Sequence, residues 1–140
     1  MYTSKMMIVV RKDLQMRKGK IAAQAGHACV EAALAALARE NRLEDVLVEG
    51  DWIALRPTDK PATPLSEWFE NGVAKICVYV NSEEELLAVD RRAKEAGILS
   101  MLIRDAGFTE FHGEPTFTCL ALEPCRAETV DPITGDLPLF

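Results

Sequence analysis

Five cations, Arg11, Lys12, Arg17, Lys18 and Lys20, crowd around Gly19 in a loop that follows an apolar run and precedes an alanine-rich stretch. A strand, a cationic loop and a helix start in that order put fixed positive charge beside free backbone N–H groups and the positive end of a helix dipole, which suits an anion such as phosphate. Far along the chain, Asp105-Ala106-Gly107 ends another apolar run. An acid at a strand end of an open α/β sheet is a site candidate, and its ordinary role is to form a turn with Gly107. Gln24 and His27 fall near the start of the alanine-rich helix, close to the basic loop. Packing within hydrogen bonds is the ordinary fate of both, and His27 becomes a general base only if it reaches a substrate proton.

Several chemistries are absent from the pattern. No G-x-S-x-G occurs, and neither His27 nor His112 has a plausible Ser or Cys partner in sequence. Met16 to Lys20 lacks the leading glycine and the following Ser/Thr of a Walker loop. Cys29, Cys77, Cys119 and Cys125 form no C-x-x-C pair, and the first three lie in apolar segments, so they read as structural thiols. No metal or cofactor is expected. What remains is lysine, aspartate and threonine at loop ends.

The elements that must position them read as follows. Met6 to Val10 is a continuous, partly β-branched run, the mark of a strand buried on both faces. A helix from about Lys20 to Arg39 or Arg42 follows, since nine of the residues from 21 to 40 are alanine and Ile21, Ala25, Ala28, Cys29, Ala32 and Ala36 make a stripe of small side chains. Residues 43–67 hold Pro57, Pro61 and Pro64 and predict an irregular insertion, the prolines being flanked by short apolar patches with Trp52 and Trp68. Packing on the body is favoured for both tryptophans over stacking on a base.

Val73–Val80 is a second strand. Ser82 and Glu85 have capping-box spacing and open a helix that ends at Gly97, which accounts for the glutamates at 83–85 without a metal. Ile98–Arg104 and Thr116–Leu122 complete the strands. A short helix at about Arg126–Val130 precedes Asp131-Pro132 and an apolar tail expected to dock. The sum is one α/β domain over residues 1–140: a small mixed four-stranded sheet with helices on both faces.

The chain has 140 residues, 49% of them hydrophobic, the size of one ordinary domain. It has no run of eighteen apolar residues, and its first apolar run is too short for a secretory segment, so no membrane association and a cytoplasmic location are expected. The net charge of −6 hides an asymmetry: residues 1–20 carry +5 and the rest −11. A local basic patch can still grip phosphates at contact distance, because salt screens the distant acids over about 8–10 Å.

MMIVVRKDLQMRKGKIAAQAGHA at the N-terminus resembles the signature of peptidyl-tRNA hydrolases of the second, archaeal and eukaryotic type. SMLIRDAGFT at 100–109 and DPITGDL at 131–137 resemble two further blocks of that family in the right order. The resemblance covers nearly the whole chain apart from roughly 43–67, where the family's connection is usually shorter. It implies hydrolysis, without a metal or other cofactor, of the ester joining a peptide to the 3′ ribose of tRNA, in a protein that is usually a homodimer.

Carried over residue by residue, the resemblance makes Lys20 the group that stabilises the oxyanion or positions the terminal phosphate. Asp105 orients or deprotonates water, and Thr109 bonds water or substrate. Arg17 and Lys18 grip tRNA, while Gln24, His27 and Thr118 line the pocket. Phe108 replaces a usual basic residue, Glu110 a usual amide and Gln15 a usual lysine, so the patch is less cationic than in the family. Two other readings stand beside the hydrolase: a non-catalytic RNA-binding or adaptor protein on this fold, and an esterase acting on another phosphorylated substrate.

Overall fold

A computed structural model describes residues 3–107 and 111–140. In chain order the elements are β1 (Met6–Arg11), α1 (Lys18–Arg39), β2 (Val46–Glu49), β3 (Trp52–Leu55), α2 (Pro64–Glu70), β4 (Lys75–Val80), α3 (Glu83–Glu95), β5 (Ser100–Asp105), β6 (Thr116–Leu122) and α4 (Ala127–Thr134), with a 3-10 turn at Leu43–Asp45. The apolar run of β1 is buried from Met6 to Val10 because its alternate residues serve two cores. Met6, Ile8 and Val10 pack with Ala28, Ala32 and Ala36 of α1, and with Leu65 and Trp68 of α2. Met7 and Val9 face the other way, toward Leu86, Val89 and Ala93 of α3 and Val130 and Ile133 of α4. This is the single α/β domain with helices on both faces that the sequence implies.

The main sheet has the order β4-β1-β6-β5. β4 runs parallel to β1, and β6 runs antiparallel to both β1 and β5. β1, β4 and β5 therefore all point one way, and their C-terminal ends share one edge of the sheet with the start of β6. In such sheets that edge is where ligands bind.

Local signals explain most boundaries. The Ser82 hydroxyl accepts from the Glu85 N–H at 3.0 Å and the Glu85 carboxylate accepts from the Asn81 N–H at 2.5 Å, so α3 starts where its capping residues lie. Ser82→Ala should cost about 1 kcal/mol. Thermal unfolding followed by circular dichroism would read this as a fall in Tm of roughly 3–4 °C. At its far end α3 stops before Gly97, whose φ of +77° is a left-handed turn that glycine adopts freely.

The stretch expected to be irregular is not wholly so. β2 and β3 form an antiparallel hairpin, Val46 opposite Leu55 and Glu49 opposite Trp52, turned at Gly50 with φ +61°. Pro64 opens α2, where Thr63 and Ser66 exchange capping hydrogen bonds. Proline is well placed there, since the first helical N–H has no intrahelical partner to lose. Asp45 anchors the connection: its carboxylate accepts from Lys60 Nζ at 2.7 Å and from Arg56 Nε at 2.8 Å. Trp68 packs in the core and donates its indole N–H to the Ala74 carbonyl at 2.8 Å, whereas Trp52 is exposed on the hairpin.

α4 also runs past the expected end at Val130 and contains Pro132. It holds because Val130, Ile133 and Thr134 are buried on α3 and the sheet, and the last turn closes through Gly135 N–H to Asp131 O at 2.8 Å. A Cβ on Gly135 would lie 2.6 Å from that same carbonyl oxygen, so DPITGDL does packing work. The tail then docks on β4: the Tyr79 N–H donates to Pro138 O, the Phe140 N–H donates to Cys77 O, and the Phe140 ring meets Tyr79 edge-on.

Candidate active site

α1 starts at Lys18, one loop after β1, and lies across β6 to reach β5. Lys20 and Gln24 are four residues apart on this helix and so share a face at its beginning. Below them β5 ends on Asp105. A register shift between Ile103 and Arg104 brings Asp105 opposite Thr116, and Gly107 turns the chain with φ +86°.

The result is a connected set of four side chains. Lys20 Nζ donates to Asp105 Oδ1 at 2.7 Å, and Gln24 Nε2 donates to the same oxygen at 3.3 Å. Asp105 Oδ2 accepts from the Gly107 N–H at 2.8 Å. Thr118, fully buried on β6, donates its hydroxyl to Gln24 Oε1 at 2.5 Å. Thr118 therefore acts behind Gln24, fixing which way the amide points. The Lys20 and Asp105 side chains keep 15% and 12% of their surface exposed, enough for a substrate atom to approach.

Lys20 holds the Asp105 carboxyl below its usual 3.8, against the opposing effect of burial and with help from the Gly107 N–H. Asp105 is thus ionised at neutral pH and is a weak proton acceptor. Asp45 and Asp13 are lowered too, by Lys60 and Arg11 first among their partners. Carboxyls lowered in the folded state add stability that is complete above the ordinary value and is lost as pH falls through the lowered values. The urea midpoint should therefore hold steady from about pH 7 to pH 5 and drop between about pH 4 and pH 2. A midpoint flat to the acid end would show that these pairs add nothing to the fold.

The remaining sequence candidates divide. Arg17 is the N-cap residue of α1, its side chain makes no cap, and both it and Lys18 are exposed beside a first turn without acids. Arg11 is a strut: it donates to the Phe117 carbonyl at 3.1 Å and pairs with Asp13 at 2.7 Å. Lys12 lies over the Tyr79 ring, 4.4 Å from its centroid. His27 is exposed and 2.8 Å from Glu31, outside the Asp105 network. Thr109, with Phe108 and Glu110, lies outside the described residues. The Gly107 N–H bond to Asp105 is the turn expected from the Asp-x-Gly spacing, which favours a side chain bonding the backbone two residues on. One contributor was not anticipated from sequence: Phe111, whose ring centroid is 5.8 Å from Lys20 Nζ.

The main-sheet architecture also occurs in a solved structure of a protein of unknown function from Agrobacterium tumefaciens, with a TM-score of 0.54 and 14% identity over 100% of this chain and 99% of that one. Sequence relatives are nearer. A peptidyl-tRNA hydrolase of Methanothermobacter thermautotrophicus is 42% identical over 136 residues, covering 97% of this chain and 99% of the relative. One from Methanopyrus kandleri is 39% identical over 137 residues, with 97% of each chain covered. A probable peptidyl-tRNA hydrolase 2 of Drosophila melanogaster is 40% identical over 136 residues, 97% of this chain and 61% of that protein. Residues 4–140 match the family described as peptidyl-tRNA hydrolase PTH2, and the chain belongs to that family.

Proposed function

We propose that this protein hydrolyses the ester between a peptide, or an N-blocked amino acid, and the 3′ ribose of tRNA. The observation that carries the reading is the pairing of Lys20 with Asp105 at 2.7 Å across 85 residues of sequence, at the sheet edge where the cationic helix start also lies. Ester hydrolysis needs a placed water, a counter-charge for the tetrahedral oxyanion and a hold on the adjoining nucleotide. Lys20 supplies the counter-charge. Asp105, ionised and weakly basic, orients the attacking water and holds the ammonium in place. Water adds to the acyl carbon and passes its protons to solvent, the bond to the ribose 3′ oxygen breaks, one proton returns to complete the tRNA hydroxyl, and the peptide leaves as a carboxylate. Gln24, locked by Thr118, presents its amide N–H groups on the same side, and Thr109 is assigned a bond to water or substrate.

Arg17 and Lys18 grip tRNA phosphates at the start of α1, with His27 about two and a half turns further along the helix. The reading includes a homodimer in the cytoplasm, the first checked by sedimentation equilibrium. Purified protein should release the blocked amino acid from N-acetyl-aminoacyl-tRNA. Lys18→Ala should weaken tRNA binding evenly across tRNA species and lower the slope of log affinity on log salt by about 1. Binding of tRNA without release would instead favour an RNA-binding or adaptor role. Release from a different phosphorylated ester alone would favour the third reading.

A further inference from the structure

A groove of about 1010 Å³ lies between the second half of α1, the β2–β3 hairpin and α2, lined by Val30, Leu34, Leu37, Trp52, Ile53 and Phe69 among others. Four of these are large, apolar and open to solvent: Val30 is 58% exposed, Leu34 51%, Trp52 68% and Ile53 51%. The helix leading to the groove is unusual on its solvent side. Between Lys20 and Arg39 its one formal charge is Glu31, already paired with His27, and its exposed residues include Ala22, Ala23, Gly26, Val30 and Leu34. At about 100° per residue, Lys20, Ala23, His27, Val30 and Leu34 fall within roughly 80° of arc, a single ridge from the Asp105 pair to the groove.

Resting on the hydrolase reading above, we propose that the peptide half of the substrate runs along this ridge and seats apolar side chains in the groove. The charge layout favours that direction. The polyanionic half of the substrate belongs with Arg17 and Lys18 at the start of α1, so the acyl half must leave elsewhere. Beyond Lys20 the ridge carries only the His27–Glu31 pair, so it offers a path with little charge to oppose a sequence-diverse peptide. The lengths agree as well. Leu34 stands about 21 Å along the axis from Lys20 at about 1.5 Å per residue, which an extended peptide covers in about six residues at roughly 3.3–3.6 Å each.

The test compares three esters on one tRNA, assayed with the intact protein: N-acetyl-leucyl, a ten-residue peptidyl with leucine at the fifth to seventh residues from the ester, and the same peptide with aspartate there. The expected result is a KM about tenfold lower for the leucine peptide than for either other ester. Leu34→Glu and Trp52→Ala should shrink that preference toward unity. The aspartate peptide keeps the test independent of how either variant folds. Hydrolysis of all three with equal KM overturns the peptide path and leaves the hydrolase reading standing, whereas hydrolysis of none overturns both. If Leu34→Glu converts a dimer to monomer while the preference for leucine persists, the groove belongs to a second copy of the chain and the proposal fails.

Discussion

Lys20→Ala is expected to release N-acetyl amino acid from tRNA about 10²–10³-fold more slowly, the usual consequence of removing a charge aimed at a developing oxyanion. Asp105→Ala should fall by a similar factor for a different reason: without the carboxylate, the water and the ammonium lose their common anchor, and Gln24 Nε2 loses an acceptor 3.3 Å away. Because the two side chains share one hydrogen bond at 2.7 Å, their losses should not multiply. The double variant should be about as slow as the slower single one. kcat/KM for the four proteins checks this directly, and a double variant slowed by the product of the two factors would mean that the residues work apart. Lys20→Arg should recover only part of the rate, since a planar guanidinium cannot take the place of a compact ammonium between Asp105 and the ring of Phe111.

Gly107→Ala is expected to have the largest effect on the fold near the site. Two costs combine there. The backbone φ of +86° strains any residue with a Cβ, and that Cβ would stand 2.4 Å from the Glu114 carbonyl oxygen, closer than real contacts allow. Left-handed strain of about 1–2 kcal/mol and overpacking of about 1–3 kcal/mol suggest a loss near 2–5 kcal/mol. A Tm lower by about 10 °C would be in line with that range. The turn also delivers the N–H that holds Asp105 Oδ2, so activity should drop further than stability alone explains. Gly113→Ala is the control: its φ is also positive, at +82°, but nothing lies within 4 Å of the added carbon. Equal shifts in the two variants would mean that the Glu114 contact is relieved at little cost.

The four strands of the main sheet were readable because each is a β-branched or alternating run bounded by turn residues. α1 was readable because alanine leaves little else for that stretch to be. The hairpin was not, although Glu49-Gly50-Asp51 stands between two apolar runs, because neither run alternates: Val48, Trp52 and Ile53 are apolar and exposed together. Pro64 misled for a physical reason, since proline breaks a helix interior yet is favoured at the first helical position that Thr63 prepares. Pro132 misled the opposite way, being tolerated inside α4 by the burial of its neighbours. At the site, the residue types were legible and their meeting was not. Lys20 can reach Asp105, and Gln24 can reach Thr118, only because β6 inserts between β1 and β5, a sheet order that no local pattern encodes.

The docked tail also governs how the molecule behaves in a crowd. By lending Pro138 O and the Phe140 N–H to β4, it closes one margin of the sheet that would otherwise offer a row of unsatisfied amides to any extended chain nearby. Deleting Pro138–Phe140 should leave catalysis, carried by β5 and β6 across the sheet from β4, largely intact while turning that margin adhesive. The cost would then show up as turbidity on standing rather than as a slower reaction.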